Sequence, residues 1–296
     1  MVPFGDAFAL ARDLEKLLLM NIPRPRTRRS SCLTLVALAA AVGTACGPGE
    51  PRTDAERLAR GREIIERMST KLGSAKAFSV STREVRDQVK ASGEAQVINL
   101  TRESAIRRPD RAYFKTSGDV QSEGWYDGVG LTVALHNQKV FAQARMPETL
   151  DKALDSMYER YGVPTPIGDY FYSSPAKALL ADSTTGGWVG REVVDGQQAD
   201  HLAFKDKGVN WEIWVAATGD PLPLKARSQF TETKRLRQID MAFSDWNFAP
   251  TIADDRFTPK VPADYEGIAM VQRARVLRNI PDDAAAPAPA AAPVKK

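Results

Sequence analysis

Residues 190–216 read GREVVDGQQADHLAFKDKGVNWEIWVA. Gly190 to Val194 is a strand, Asp195-Gly196 is a two-residue hairpin signal, Ala199 to Phe204 is the returning strand, and Trp211 to Ala216 is the next. Alternation of period two puts Trp211 and Trp214 on opposite faces of one strand. The same pattern runs upstream. Phe78, Val80 and Thr82 alternate with polar residues, and strands follow at Ala95 to Ser104, Ala112 to Thr116, Leu131 to Leu135 and Lys139 to Ala144. The separators are turn residues: Ala91-Ser92-Gly93, Arg108-Pro109-Asp110, Asp127-Gly128 and His136-Asn137. Downstream, Thr218-Gly219-Asp220-Pro221 leads to Leu222 to Phe230 and Arg235 to Trp246. Short connections between such strands predict an antiparallel meander.

Two helical patterns break the alternation. Thr53-Asp54-Ala55-Glu56 is a capping box. It opens a helix with Leu58, Ile65, Met68 and Leu72 on one face, and Gly73 is expected to stop it. Thr149 to Tyr161 places Leu150, Ala153, Leu154, Met157 and Tyr161 on one face, with Gly162 and Pro164 at its end. Ser174-Pro175 starts a third, short helix. Gly186-Gly187 reads as a plain turn. The expected fold is α+β: a curled, unclosed antiparallel barrel of about ten strands over residues 54–275, with an N-terminal helix and a helical lid insert at 149–181. A sheet this long curls, and its concave face needs a cover.

The N-terminus reads as an address. Arg24-Pro-Arg-Thr-Arg-Arg29 precedes the apolar run CLTLVALAAAVG at 32–43, and small residues lead to Cys46. That order predicts a signal peptide over 20–45, starting at Met20 with residues 1–19 as an extension ahead of it. The run is too short to span a bilayer, which takes about 20 apolar residues. Val42-Gly-Thr-Ala-Cys46 resembles a bacterial lipobox, which implies lipidation of Cys46, with 46–53 as the tether. Gly43 stands where that pattern prefers Leu, and ordinary cleavage after Ala45 is the competing outcome. The Ala/Pro-rich tail 281–296 cannot bury a core and is expected to be disordered.

The 296 residues carry 41 basic and 37 acidic side chains. Residues 1–45 hold six basic and three acidic ones, leaving 35 and 34 from Cys46 onward. A nucleic-acid binder carries its excess positive charge on the folded domain, so nucleic acid is excluded as a partner. Arg102, Arg107, Arg108 and Arg111 form the one local basic cluster, expected to be a solvated strand end and turn. Past Cys46 there are two histidines, His136 and His201, expected to be satisfied or solvated. There is no HExxH, paired Cys-x-x-Cys, G-x-S-x-G or phosphate-cradling loop, so no enzyme, cofactor or metal is expected. Asp240 and Asp245 share a strand near Trp246, an arrangement common by chance.

Arg108-Pro-Asp-Arg-Ala-Tyr-Phe114 and Trp125-Tyr-Asp-Gly128, together with this order of elements, resemble the LolA/LolB group of lipoprotein carriers. Its relatives include mycobacterial lipid-binding lipoproteins and RseB-type envelope-stress regulators. Gly190-Arg-Glu-Val-Val-Asp-Gly196, His201-Leu202, Trp211-Glu-Ile-Trp-Val215, Pro221-Leu-Pro-Leu224 and Phe243-Ser-Asp-Trp-Asn247 resemble a family of predicted periplasmic proteins of unknown function. Leu224 departs from the basic residue expected there. The resemblance implies an envelope location and an apolar ligand cavity under a helical lid, and Gly47 after Cys46, in place of the Asp that marks inner-membrane retention, favours the outer membrane before the inner. Phe114, Leu131, Val133, Leu154 and Met157 are the expected lining. The expected function is binding an acyl chain or other hydrophobic ligand, including a lipoprotein. The rival is a protein-interaction or stress-sensor module whose partner is a peptide.

Overall fold

The computed structural model describes residues 50–90, 92–161, 163, 166–231 and 236–270. The signal peptide, Cys46 and the Ala/Pro-rich tail lie outside the described residues, as do Gly162 and Pro164.

Helix α1 (Asp54–Ser74) starts at the expected capping box, in which the Glu56 N–H donates to Thr53 Oγ1 at 3.2 Å and the Thr53 N–H donates to Glu56 Oε2 at 3.0 Å. It buries Ile64, Ile65, Met68 and Leu72. Gly73 does not stop it. The helix continues to Ser74, and a Cβ on Gly73 would sit 2.3 Å from the Ser173 carbonyl oxygen, so this glycine serves close packing.

Six strands follow: β1 (Ala77–Val89), β2 (Ala95–Arg107), β3 (Arg111–Gly118), β4 (Ser122–Tyr126), β5 (Gly130–Leu135) and β6 (Val140–Arg145). Helices α2 (Leu150–Tyr161) and α3 (Pro175–Leu179) make the insert, with a 3-10 turn at Pro166–Tyr170 between them. Then come β7 (Thr185–Val194), β8 (Gln197–Asp206), β9 (Val209–Ala216), β10 (Pro223–Phe230), β11 (Leu236–Asn247) and β12 (Glu266–Ala269). All twelve form one sheet in the order β12-β6-β5-β4-β3-β2-β1-β11-β10-β9-β8-β7. Two meanders are thus joined where β11 pairs with β1, and the first and last strands of the row remain unpaired with each other.

The Asp195-Gly196 hairpin forms as read, with φ of 47° and 80°, the double positive φ of a tight turn. Two strands exceed the expected ten. β4 is only five residues long, and β12 pairs parallel to β6, making the sheet mixed rather than purely antiparallel. Before reaching β6, the chain after β11 crosses the outer face. There Phe257 is buried against Ala105, Tyr113, Trp125 and Ala134, forming a second small core.

Gly186 and Gly187 are not a turn. They lie inside β7 with φ of 107° and 130°. A Cβ on Gly187 would meet the Arg57 carbonyl oxygen at 2.2 Å, and one on Gly61 would meet the Gly187 Cα at 2.8 Å. Helix α1 therefore lies with its backbone directly on the backbone of β7, which only glycine permits on both sides. Gly187→Ala combines a strained φ with a backbone clash and is expected to cost about 3 kcal/mol. Urea unfolding of the variant beside the parent measures it.

Candidate functional site

The face of the sheet that α1 and α2 cover is the inner face. Cross-strand register defines its rows. At one end Phe78 lies opposite Ile106, and Tyr126 opposite Leu131; these belong to the main core with Ile64, Ile65, Met68 and Leu72 of α1. Further along each strand the character changes. Phe243, Thr82, Arg102, Thr116 and Ser122 stand in one row across β11, β1, β2, β3 and β4. In the next row, Glu84 stands between Met241 and Leu100.

This floor is polar and buried. Glu84 is 1% exposed. Its Oε2 accepts from Arg86 Nη2 at 2.7 Å and Nε at 3.2 Å, and its Oε1 lies 3.3 Å from Arg102 Nη1. Arg102 Nε donates to Thr116 Oγ1 at 3.2 Å, and its guanidinium sits 5.7 Å from the Phe114 ring centroid. Burial pulls the Arg102 pKa down, and the charge of Glu84 opposes that. The hydroxyls of Thr82 and Ser104 are buried with no hydrogen-bond partner. Arg102 is thus not part of a solvated basic cluster. Its neighbours in sequence are also engaged: Arg108 donates to the Tyr172 carbonyl oxygen at 2.8 Å, and Arg111 to the Asp127 carbonyl oxygen.

The five expected lining residues fall on or against the same face. Phe114, Gly124 and Val133 share a row, and the Phe114 ring fills the space a Gly124 Cβ would take, 2.1 Å from that position. Leu131 is buried in the main core, whereas Val133, Leu154 and Met157 are half-buried against it. Helix α2 carries the last two. Apart from the Val163 N–H, which donates to the Met157 carbonyl oxygen at 3.1 Å, its polar contacts to the rest of the fold lie, among the described residues, in its first half. The Leu150 N–H donates to the Pro109 carbonyl oxygen at 2.8 Å, Asp151 accepts from Ser173, and Asp155 accepts from the Tyr172 hydroxyl at 2.8 Å. Tyr158 in its second half is exposed. Behind α2, Ile167 and Tyr170 of the 3-10 turn enter the core, and Tyr170 meets Phe243 edge-on at 4.9 Å. Burial pushes the carboxyl of the intervening Asp169 up to about 7.

The outer face carries a different cluster. His201 stacks on Trp214 at 4.3 Å, with Nδ1 2.8 Å from Glu192 Oε1 and Nε2 2.8 Å from Glu212 Oε2. The Trp214 indole N–H donates to Glu192 Oε2 at 2.7 Å, the first reason the Glu192 carboxyl is held below its usual range; His201 also contributes. Trp211 lies on the inner face, stacked on Phe204 at 4.4 Å, so the two tryptophans do point oppositely. His136 Nδ1 is 2.8 Å from the Tyr265 hydroxyl. Asp240 accepts from Arg227 and Gln238 rather than pairing with Asp245. Among the described residues no cluster of His, Cys, Asp and Glu is arranged to hold a metal, and no helix is long and apolar enough to cross a membrane. The inner-face polar row was not anticipated. Its one sequence signal is Glu84 and Arg102 at positions in phase with Phe78 and Ile106.

Asp169 gives a pH dependence. Its folded pKa lies above the unfolded value, so the folded state binds the proton more tightly. Stability is therefore greatest below the unfolded pKa and falls as pH rises towards 7, levelling off above it. Asp169→Asn is expected to match the parent at pH 4 and to exceed it at pH 8. The gain should be about 1–2 kcal/mol, less than the shift implies because the turn can relax. Urea midpoints at the two pH values test this.

No curated protein matches the chain in sequence. It is similar to the solved structure of an uncharacterized conserved protein from Thermus thermophilus, at 10% identity and a TM-score of 0.41, covering 70% of this chain and 98% of that one. It is also similar to the Mycobacterium tuberculosis lipoprotein LppX, at 14% identity and a TM-score of 0.38, over 65% and 97% of the two chains. A LolA superfamily protein from Nitrosomonas europaea is similar at 13% identity and a TM-score of 0.30, over 68% and 98%. The model of one sequence family, described as Predicted periplasmic protein (DUF2092), matches residues 61–271, from the middle of α1 to the end of the described sheet, and the chain belongs to that family.

Proposed function

We propose that this protein is an envelope lipoprotein, anchored through Cys46 to the outer membrane, that holds an acyl chain or other hydrophobic ligand on the inner face of its unclosed sheet. It acts as a binding protein and not as a catalyst. The observation that carries this reading is the half-buried apolar set shared by α2 and the inner face of the sheet. Val133 of the sheet and Leu154 and Met157 of α2 are left half-buried against the core, Phe114 is half-buried in the same row as Val133, and the polar contacts of α2 hold its first half. Such a helix can tilt about its N-terminal end, admit an apolar chain and cover it again. Apolar burial supplies the driving force at about 25 cal/mol per Å², which favours retention without demanding one chemical structure.

The whole chain bearing Cys46→Ser, recovered from a bacterial periplasm, is expected to show an adduct of lipid mass under native conditions that is lost on denaturation. Met157→Arg places a charge in the half-buried set, where Leu131→Arg would break the core. It is expected to abolish the adduct while leaving the circular dichroism unchanged. An adduct retained at parental level in Met157→Arg sinks the assignment of this apolar set.

The rival reading, a module that docks a partner peptide, draws on the outermost strand β7, whose irregularity after Trp188 leaves Val189 and Val193 exposed. A bare polypeptide mass, repeated after incubation with membrane lipids, favours that reading. For the anchor, the parent chain is expected in the membrane fraction and its Cys46→Ser form in the soluble periplasm. Equal partition of the two removes the lipid anchor from the proposal.

A further inference from the structure

The polar row on the inner face has a feature that folding alone does not explain. Thr82 and Ser104 are 2% and 3% exposed, yet neither hydroxyl has a hydrogen-bond partner. An unsatisfied buried hydroxyl costs about 1–3 kcal/mol, and an apolar residue of the same shape would avoid the loss. Both stand beside Arg102: Thr82 is its cross-strand partner on β1, and Ser104 lies two residues along β2 on the same face. The charges are also unequal. Arg86 and Arg102 both turn to the single carboxylate of Glu84, leaving one positive charge over. Apolar residues border the site in register, with Val80 opposite Ser104 on β1, Phe114 opposite Ser104 on β3, and Phe243 opposite Thr82 on β11.

We infer that this floor is the head-group end of the ligand site, and that the ligand is an amphiphile with a singly anionic head. The head accepts hydrogen bonds from the Thr82 and Ser104 hydroxyls and neutralises the surplus charge of Arg102, while the apolar tail runs past Phe114 towards Val133 and the apolar residues of α2. Two donors and a guanidinium in a desolvated setting suit an anion, because charge-assisted hydrogen bonds are the stronger kind. Glu84 has the complementary role. It holds the two guanidinium groups in place and limits the surplus to one charge, which disfavours multiply charged heads and opposes any carboxylate that would displace it. The inference rests on the proposal that the inner face holds an apolar chain, and adds which chemistry terminates that chain.

The test compares three probes on the whole chain bearing Cys46→Ser at pH 8, by calorimetry and tryptophan fluorescence: oleate, oleyl alcohol and inorganic phosphate. Oleate is expected to bind about 10-fold tighter than oleyl alcohol, the worth of one charge-assisted contact over a neutral one. Phosphate alone is expected not to bind measurably. The double variant Thr82→Val, Ser104→Ala is expected to lose about 10-fold in oleate affinity and to leave oleyl alcohol affinity unchanged. Its unfolding midpoint is expected to equal or exceed the parent's, since the substitutions remove the orphaned hydroxyls; a structural role for them would lower it. Equal binding of acid and alcohol overturns the head-group site while the apolar trough stands. Absence of binding by either overturns both. Phosphate binding as tightly as oleate makes this a free-anion site and overturns the amphiphile. An unchanged oleate affinity in the double variant places the head elsewhere.

Discussion

The pairing of β11 with β1 is the constraint on which the rest of the molecule depends. Each meander alone is a local object, five or six strands laid down in order with short turns. Neither would have a full cover for its inner face, since α1 sits over β7 in the second meander while the insert α2–α3 follows the first. Pairing along most of β1, with Arg83 opposite Ala242 and Val85 opposite Asp240, makes them one surface. The core then runs without a break from α1 through Trp188, Leu202, Ile213, Met241 and Phe78 to Leu131. It also sets the row that crosses the seam, because Phe243 reaches Thr82 only through this register.

The inner face is divided along its strands into an apolar and a polar part. Where α1, α2 and the 3-10 turn press down, the strands present Phe78, Ile106, Tyr126 and Leu131. Further along, the same strands present Thr82, Glu84, Arg102 and Thr116, equally withdrawn from solvent apart from Arg102. Burying a charged group costs several kcal/mol per ion unless it is paired, and Glu84 is paired twice. A fold selected for stability alone would have filled these positions with valine and leucine. The outer face solves a different problem. Its second core under Phe257 shields β3–β5 from solvent, while the far half keeps a satisfied polar surface of Glu192, His201, Glu212 and Trp214.

Strands with strict alternation and marked turns were legible in the sequence, and so were the capping box and the amphipathic insert. β4 was not, because Ser122-Glu-Gly-Trp-Tyr126 is too short to show a period. β12 was not, because four residues after a proline-containing crossing carry no strand signal of their own; β6 supplies the template. The glycine pair 186–187 looked like a turn because sequence cannot distinguish a glycine needed for a bend from one needed for contact with another backbone. The candidate site was legible only in its apolar part. Phe114, Leu131, Val133, Leu154 and Met157 could be named as candidates once a lidded trough was expected, but Glu84 and Arg102 look like solvent-facing members of polar strands. Nothing local reveals that they face inward. Only the count of positions from Phe78 and Ile106 does, and that count holds because β1 and β2 pair without a bulge.

The late position of β12 bears on how the sheet comes into being. Val140 of β6 finds its partner in Glu266, and Arg83 of β1 finds its own in Ala242, so two strands of the first half wait for residues near the end of the described chain. Pairings this distant in sequence are slow to close. Until they do, both flanks of the first meander offer unpaired backbone groups that can capture another chain. Maturation of the sheet is therefore governed by the arrival of its last segment. The strap that carries β12 to β6 ends the waiting by covering one flank and the adjoining outer surface together.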